Sequence, residues 1–222
     1  MGDNERNRPR FFSSTMTTAS PGMTRDEAYA LFERQMEGVN KNNEGNKAYQ
    51  EGRFEDAVRL HREALAFKLG QHDKDSIQVA LTHNALGEAL LKAGELDEAD
   101  ELFEKAIRVR EREATKYRAE EKSGADALEL DAAATRENIG ALREAQGRFE
   151  EARTIRLEGA AKGGILCSNA KCPQVGPLAL SELNACGACK APFYCSKRCQ
   201  KADWKERHKP LCKKAMAGGG SS

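Results

Sequence analysis

The first 166 residues contain no cysteine, and the whole 222-residue chain has a single tryptophan and 6% aromatic residues. So few aromatics, with 32% charged and 39% hydrophobic residues, argue against a sheet with a broad buried face. A mean hydropathy of -0.72 points the same way, toward a helical, solvent-rich architecture. No apolar run approaches the roughly 20 residues of a membrane span, which excludes a membrane-spanning helix. The N-terminus lacks the basic-then-apolar order of a secretory signal, so the expected location is intracellular, cytoplasmic and/or nuclear. Nucleophile–base constellations and phosphate-binding glycine loops are also missing, so no enzymatic activity is expected.

The absent cysteines make those that are present informative. Seven fall within 46 residues as Cys167-x4-Cys172, Cys186-x2-Cys189, Cys195-x3-Cys199 and a final Cys212 paired with His208 as H-x3-C. Such spacings let two soft donors from one turn reach a single tetrahedral ion, with Zn–S near ~2.3 Å. Eight donors make two complete four-coordinate sites. A closed shell points to structural zinc, because a catalytic zinc keeps a position open for water. A disulfide scaffold is disfavoured by the odd count and by the intracellular reading. His61, His72 and His83 lie far from any cysteine and read as ordinary surface or groove residues.

The segment Cys186-Gly-Ala-Cys189, Phe193-Tyr194-Cys195-Ser196-Lys197-Arg198-Cys199-Gln200, Asp203-Trp204, His208-Lys209 and Cys212 resembles a MYND-type zinc finger. It departs from the commoner pattern in its first pair, C-x4-C in place of C-x2-C, and in the 13 residues between Cys172 and Cys186. The resemblance implies two interleaved zinc sites. Cys167, Cys172, Cys195 and Cys199 would hold the first ion; Cys186, Cys189, His208 and Cys212 would hold the second. It also implies a shallow groove for short proline-containing peptides, with Gln200 and Trp204, four apart on one helix face, as the contacts. Trp204 packing over a zinc site is an equally good reading. A RING-type ligase also interleaves two zincs, but its C-x-H-x2-C centre is missing here.

Before the finger lies a repeating signal. Gly52-Arg53-Phe54-Glu55-Asp56-Ala57, Gly94-Glu95-Leu96-Asp97-Glu98-Ala99 and Gly147-Arg148-Phe149-Glu150-Glu151-Ala152 share one pattern, with Gly45, Gly87 and Gly140 seven residues upstream. The pattern resembles tetratricopeptide repeats, with helix A ending at the second glycine and helix B starting just after it. Spacings of 42 and 53 residues exceed the usual 34. The excess points to longer helices, as in repeats of the kinesin-light-chain kind. Small residues at Gly45, Gly87, Gly140, Ala57, Ala99 and Ala152 would let the two helices approach closely. Thr24–Gly38 reads as an extra helix or as the start of the first helix A. The implied concave surface would carry Asn42, Asn46, Tyr49, Asn84, Glu88, Glu137 and Glu144. Of these, Asn42, Asn46 and Asn84 are the expected peptide contacts, and the acidic residues favour basic or neutral peptides. Only Asn46 fits the carboxylate clamp of chaperone-binding repeats, which argues against a chaperone C-terminus as ligand.

The expected fold is therefore mainly α. A disordered tail (1–23) precedes a repeat solenoid of about three repeats (24–159), a linker (160–166), a two-zinc MYND-type finger (167–212) and a second disordered tail (213–222). The expected function is a non-enzymatic protein–protein adaptor with two structural Zn²⁺. From Lys162 onward the chain carries eleven Lys/Arg and three acidic residues, a formal +8, against -7 before it. A basic tail suggests a nucleic-acid-associated regulatory protein. Seven zinc-bound thiolates and two zinc ions would lower that segment to about +5, however, which favours protein partners. The other alternative, a non-catalytic relative of lysine methyltransferases that carry this finger, leaves no room for a cofactor-binding domain.

Overall fold

A computed structural model describes residues 22–218; residues 1–21 and 219–222, where disordered tails are expected, lie outside the described residues. Thr24 opens α1 (Arg25–Gln50) with a reciprocal cap. Its hydroxyl accepts the Glu27 N–H at 3.3 Å, and the Glu27 carboxylate accepts the Thr24 N–H at 2.8 Å. The helix then runs unbroken through Gly38 and Gly45, so Thr24–Gly38 is the beginning of the first helix A.

Five further helices follow: α2 (Phe54–Leu69), α3 (Ile77–Ala93), α4 (Leu96–Ala119), α5 (Ala125–Ala145) and α6 (Phe149–Glu158). They form three hairpins, α1/α2, α3/α4 and α5/α6, each packed on the next. Gly52, Gly94 and Gly147 adopt φ of +77°, +88° and +82°, which lets each A helix turn into its B helix within a few residues. At 26, 24 and 21 residues, α1, α4 and α5 are long, in line with the wide repeat spacing. Lys116–Asp126 is spent partly on extending α4 and partly on the turn into α5.

The hairpins close on small residues. Ala57, Ala99 and Ala152 are fully buried. A methyl group on Gly45, Gly87 or Gly140 would come within 2.7, 2.7 and 2.6 Å of His61, Phe103 and Arg156, each sixteen residues further on in helix B. Leu60, Leu86, Leu90, Phe103, Ile139 and Leu142 fill the shared core. Each large apolar side chain taken from water contributes on the order of 1.5–3 kcal/mol.

After α6 a single tight turn (Gly159–Ala161) reverses the chain, and Gly164 N–H donates to Gly159 O at 2.7 Å. Ile165 and Leu178 pair antiparallel through two 2.9 Å bonds. Next, β1 (Asn184–Ala185) pairs antiparallel with β2 (Phe193–Tyr194). The chain ends in α7 (Lys197–Asp203), a widened π turn (Trp204–His208) and α8 (Lys209–Gly218). Lys213–Gly218, expected to be disordered, instead extends α8, which suits the helix-forming Lys-Lys-Ala-Met-Ala sequence.

The segment between the repeats and the finger lies against the hairpins. Lys162 Nζ reaches Glu111 of α4 at 2.9 Å, and Arg136 of α5 donates to Lys162 O at 3.3 Å. Ile165, Leu183 and Phe193 form a small apolar cluster, against which Leu157 of α6 packs.

Candidate metal centre and adjoining cleft

The first donor group is assembled from three places. Cys167 and Cys172 lie in the loop that the Ile165–Leu178 pairing closes, and Cys195 leaves β2. Cys199 sits in the first turn of α7, where the Ser196 hydroxyl caps the helix by accepting the Cys199 N–H at 3.2 Å. The second group takes Cys186 and Cys189 from the turn between β1 and β2, and His208 and Cys212 from one face of the last helix. In each group all four donor atoms lie within 4.8 Å of one another. This is the partition expected from the resemblance.

The distances fit a tetrahedral ion and exclude disulfides. Cys172, Cys195 and Cys199 have mutual Sγ separations of 3.5, 3.6 and 3.6 Å, and Cys186 and Cys212 lie 3.9 Å apart. A disulfide needs about 2.05 Å. Tetrahedral Zn–S bonds of ~2.3 Å place sulfurs about 3.8 Å apart. The Cys189 Sγ–His208 Nε2 separation is 3.4 Å, close to the roughly 3.6 Å edge that Zn–S and Zn–N bonds give. Too small to fold on apolar burial, the segment has a donor set matched to a thiolate-binding metal.

Around the second group is a buried polar network that joins finger and repeats. Tyr194 OH donates to Asp203 at 2.8 Å, and Arg207 holds the same carboxylate at 3.0 and 2.9 Å. Arg207 also reaches Glu144 of α5 at 3.0 Å, and His208 Nδ1 lies 3.1 Å from that carboxylate. Arg156 of α6 completes the set, pairing with Glu144 at 2.7 Å and Glu137 at 2.7 and 2.9 Å and donating to Ala191 O at 3.2 Å. Burial opposes the charge on Glu144, but Arg156, His208 and Arg207 outweigh it and hold its pKa down at about 2. Burial, with the Asp203 charge beside it, pushes the Tyr194 phenol well up.

This network corrects the expected concave surface. Glu144 is buried and Glu137 is taken up by Arg156, so neither gives the groove an open acidic face. Asn84 is buried too. It donates to Glu88 at 2.6 Å and accepts from Asn138 at 3.2 Å, so its amide is engaged within the chain. Asn46 is exposed, while Asn42 is half-buried with an unpartnered Oδ1. Gln200 is half-buried on α7. Trp204 packs against the cysteine cluster and meets the His208 ring edge-on at 5.8 Å, the packing arrangement.

Asn42, Asn46, Asn84, Gln200 and Trp204 do not line the cleft of about 570 Å³ that lies between the hairpins and the finger. Its repeat wall is Tyr49, Glu88 and Glu137, three of the residues expected on the concave surface, with Leu91, Leu130, Ala134, Asn138 and Ala141; its other wall is the 166–176 loop with Arg207 and Leu211. Val175, at 86% exposure, is an apolar side chain left open to solvent in that loop. The sequence reading missed the finger side of this cleft, because the 166–176 loop and Leu211 reach the repeats only through the tertiary fold.

Comparison with known families fits this layout. Residues 167–212 match the family model of the MYND finger, and residues 41–112 match that of the tetratricopeptide repeat. The chain thus carries a tetratricopeptide-repeat region followed by a C-terminal MYND finger with cysteine-rich metal-binding clusters. The matched repeat segment covers most of the first two hairpins, and the matched finger spans all eight donors. Searches of curated proteins and of solved structures gave no match. Among the described residues no helix is long and apolar enough to cross a membrane.

Proposed function

We propose that the chain is a non-enzymatic intracellular adaptor in which a repeat region (24–159) and a finger (167–212) bind protein partners. The observation that carries this reading is the cleft whose walls come from both parts. It is concave, mainly apolar and bordered by a few polar groups, the character of a peptide site. Two zinc ions, one on Cys167, Cys172, Cys195 and Cys199 and one on Cys186, Cys189, His208 and Cys212, would cross-link the finger. Their closed donor sets leave no position for a substrate. The half-exposed Gln200 and Trp204 lie outside the cleft and would form a second contact surface, as would Asn42 and Asn46 on α1.

Nucleic acid is a poorer fit. Arg207 is spent on Asp203 and Glu144, so it is not free to meet a phosphate, and Glu144 of α5 brings a negative charge against the finger beyond those already counted in its charge of about +5. Cysteines held as metal-bound thiolates, not disulfides, also suit a reducing compartment.

The test is selection of peptides from a random display library on the zinc-loaded chain. Counter-selection uses Ala141→Trp, which fills the cleft, and a Gln200→Ala, Trp204→Ala variant. Enriched peptides that lose binding at least tenfold on one variant assign the surface. Absence of any enriched peptide, or tight salt-sensitive binding to DNA or RNA instead, overturns the adaptor reading.

A further inference from the structure

The second donor group is completed by two parts of the chain that are far apart in sequence. His208 presents Nε2 to Cys189 Sγ at 3.4 Å, while Nδ1, its other ring nitrogen, lies 3.1 Å from Glu144 Oε2. Glu144 stands on α5, 64 residues earlier, and both side chains are fully buried. A neutral imidazole that ligates through one nitrogen carries its proton on the other. An acceptor at that proton fixes the tautomer and the ring plane. With no surface exposed there, the acceptor has to come from the protein.

The carboxylate is itself locked in place. Arg207 reaches Oε2 at 3.0 Å and Arg156 lies 2.7 Å from Oε1. These two arginines already satisfy the charge that an ion-pair role requires. The contact to His208 is the one such a role leaves unexplained.

We infer that Glu144 is a positioning residue for the metal site of Cys186, Cys189, His208 and Cys212: the repeat region supplies the carboxylate that aims His208 Nε2 at the ion. This rests on the zinc reading above. Retention of that ion then depends on the third hairpin, α5/α6, as well as on the finger. The site of Cys167, Cys172, Cys195 and Cys199 has no imidazole to orient and serves as an internal control.

The experiment follows transfer of zinc from the full chain to a chromophoric chelator. Two ions released per wild-type chain support the reading beneath this inference; fewer than two overturn that reading, whatever Glu144 does. In Glu144→Ala, one ion is expected to leave 10–100-fold faster and the other at the wild-type rate. Glu144→Gln keeps an acceptor oxygen and should show a smaller change. Unchanged release of both ions, or equal acceleration of both, overturns the inference. If Glu144→Ala does not fold, nitrogen spectra of the His208 ring in the zinc-loaded wild type decide. Metal on Nε2 with a slowly exchanging proton on Nδ1 is expected, and metal on Nδ1 overturns it.

Discussion

At Gly87 the space for a methyl group is already filled: an added Cβ would lie 2.7 Å from the Phe103 ring. Alanine in a helix interior normally gains up to about 1 kcal/mol over glycine. Here overpacking, about 1–3 kcal/mol, opposes that gain. Gly87→Ala should therefore lower stability by about 1 kcal/mol in urea unfolding, and a stabilised variant would contradict the packing. In the first repeat the equivalent ring is His61, which is 1% exposed. Burial, with the Lys68 charge adding to it, lowers its pKa to about 4. The unfolded state binds the proton near the ordinary 6.5, so between those values it holds more protons than the native state. The stability from neutral His61 is thus complete above about pH 6.5 and is lost as pH falls toward 4. Between pH 7.5 and 5 the loss should be about 1–2 kcal/mol. Phe103 shows what the same pocket accepts in the second repeat, so His61→Phe should remove this part of the acid sensitivity. Thermal melts of wild type and His61→Phe at pH 7.5 and 5 share the same zinc chemistry, and their difference isolates the ring. An equal drop in both would refute it.

Among the elements, the third hairpin departs from the other two at one register position. His61, Phe103 and Arg156 each lie over the corresponding glycine, and Arg156 also reaches Ala191 in the finger with a hydrogen bond. A charged residue where the other repeats place a ring is a signal legible in the sequence once the glycines are aligned. Its partners are less so: Glu137 and Glu144 face it across the α5/α6 hairpin, and Ala191 joins them only when the chain reverses after Gly159. The helical repeats were legible for the opposite reason: glycine and alanine at fixed offsets report contacts within one hairpin. The donor cysteines were legible because short spacings encode local turns, while their pairing across 19 or more residues rested on the resemblance to a family. Concave-surface residues were the least legible. Nothing in a single helix says that Asn84 is taken up by Glu88 and Asn138 or that Glu144 faces two arginines. Arg156→Leu tests the hairpin's role. It fits the pocket but leaves Glu144 and Glu137 short of a cation, a loss of about 3–5 kcal/mol for a broken buried pair. The cost should appear in unfolding of α5, α6 and the finger together; a neutral substitution would mean that the network contributes little.

For the molecule as a whole, these links decide what metal removal does. Structural zinc contributes about 10–16 kcal/mol to a module of this size, more than the finger's small apolar cluster can replace, so chelation should unfold it. Were the finger merely tethered, all six repeat helices would keep their protection. Instead Arg156, Glu144 and Arg207 tie α5 and α6 to it, and Leu157 packs on its apolar cluster. Unfolding the finger would strip Arg207 and His208 from Glu144 and expose Leu157, while α1–α4 supply no hydrogen bond or ion pair to Glu144, Arg207 or His208 among the described residues. Hydrogen exchange on the full chain with a strong chelator should therefore show protection falling in the finger and in α5/α6, by about tenfold or more in the latter. A tenfold change corresponds to about 1.4 kcal/mol, a modest fraction of one broken buried pair. Amides in α1–α4 should exchange as before, because Leu60, Leu86, Leu90 and Phe103 stay packed on one another even where Ile139 and Leu142 of α5 loosen from the shared core. Full protection of α5/α6 without metal would mean that the finger is only appended to the solenoid. Loss of protection throughout α1–α4 would mean that the repeats cannot stand without it.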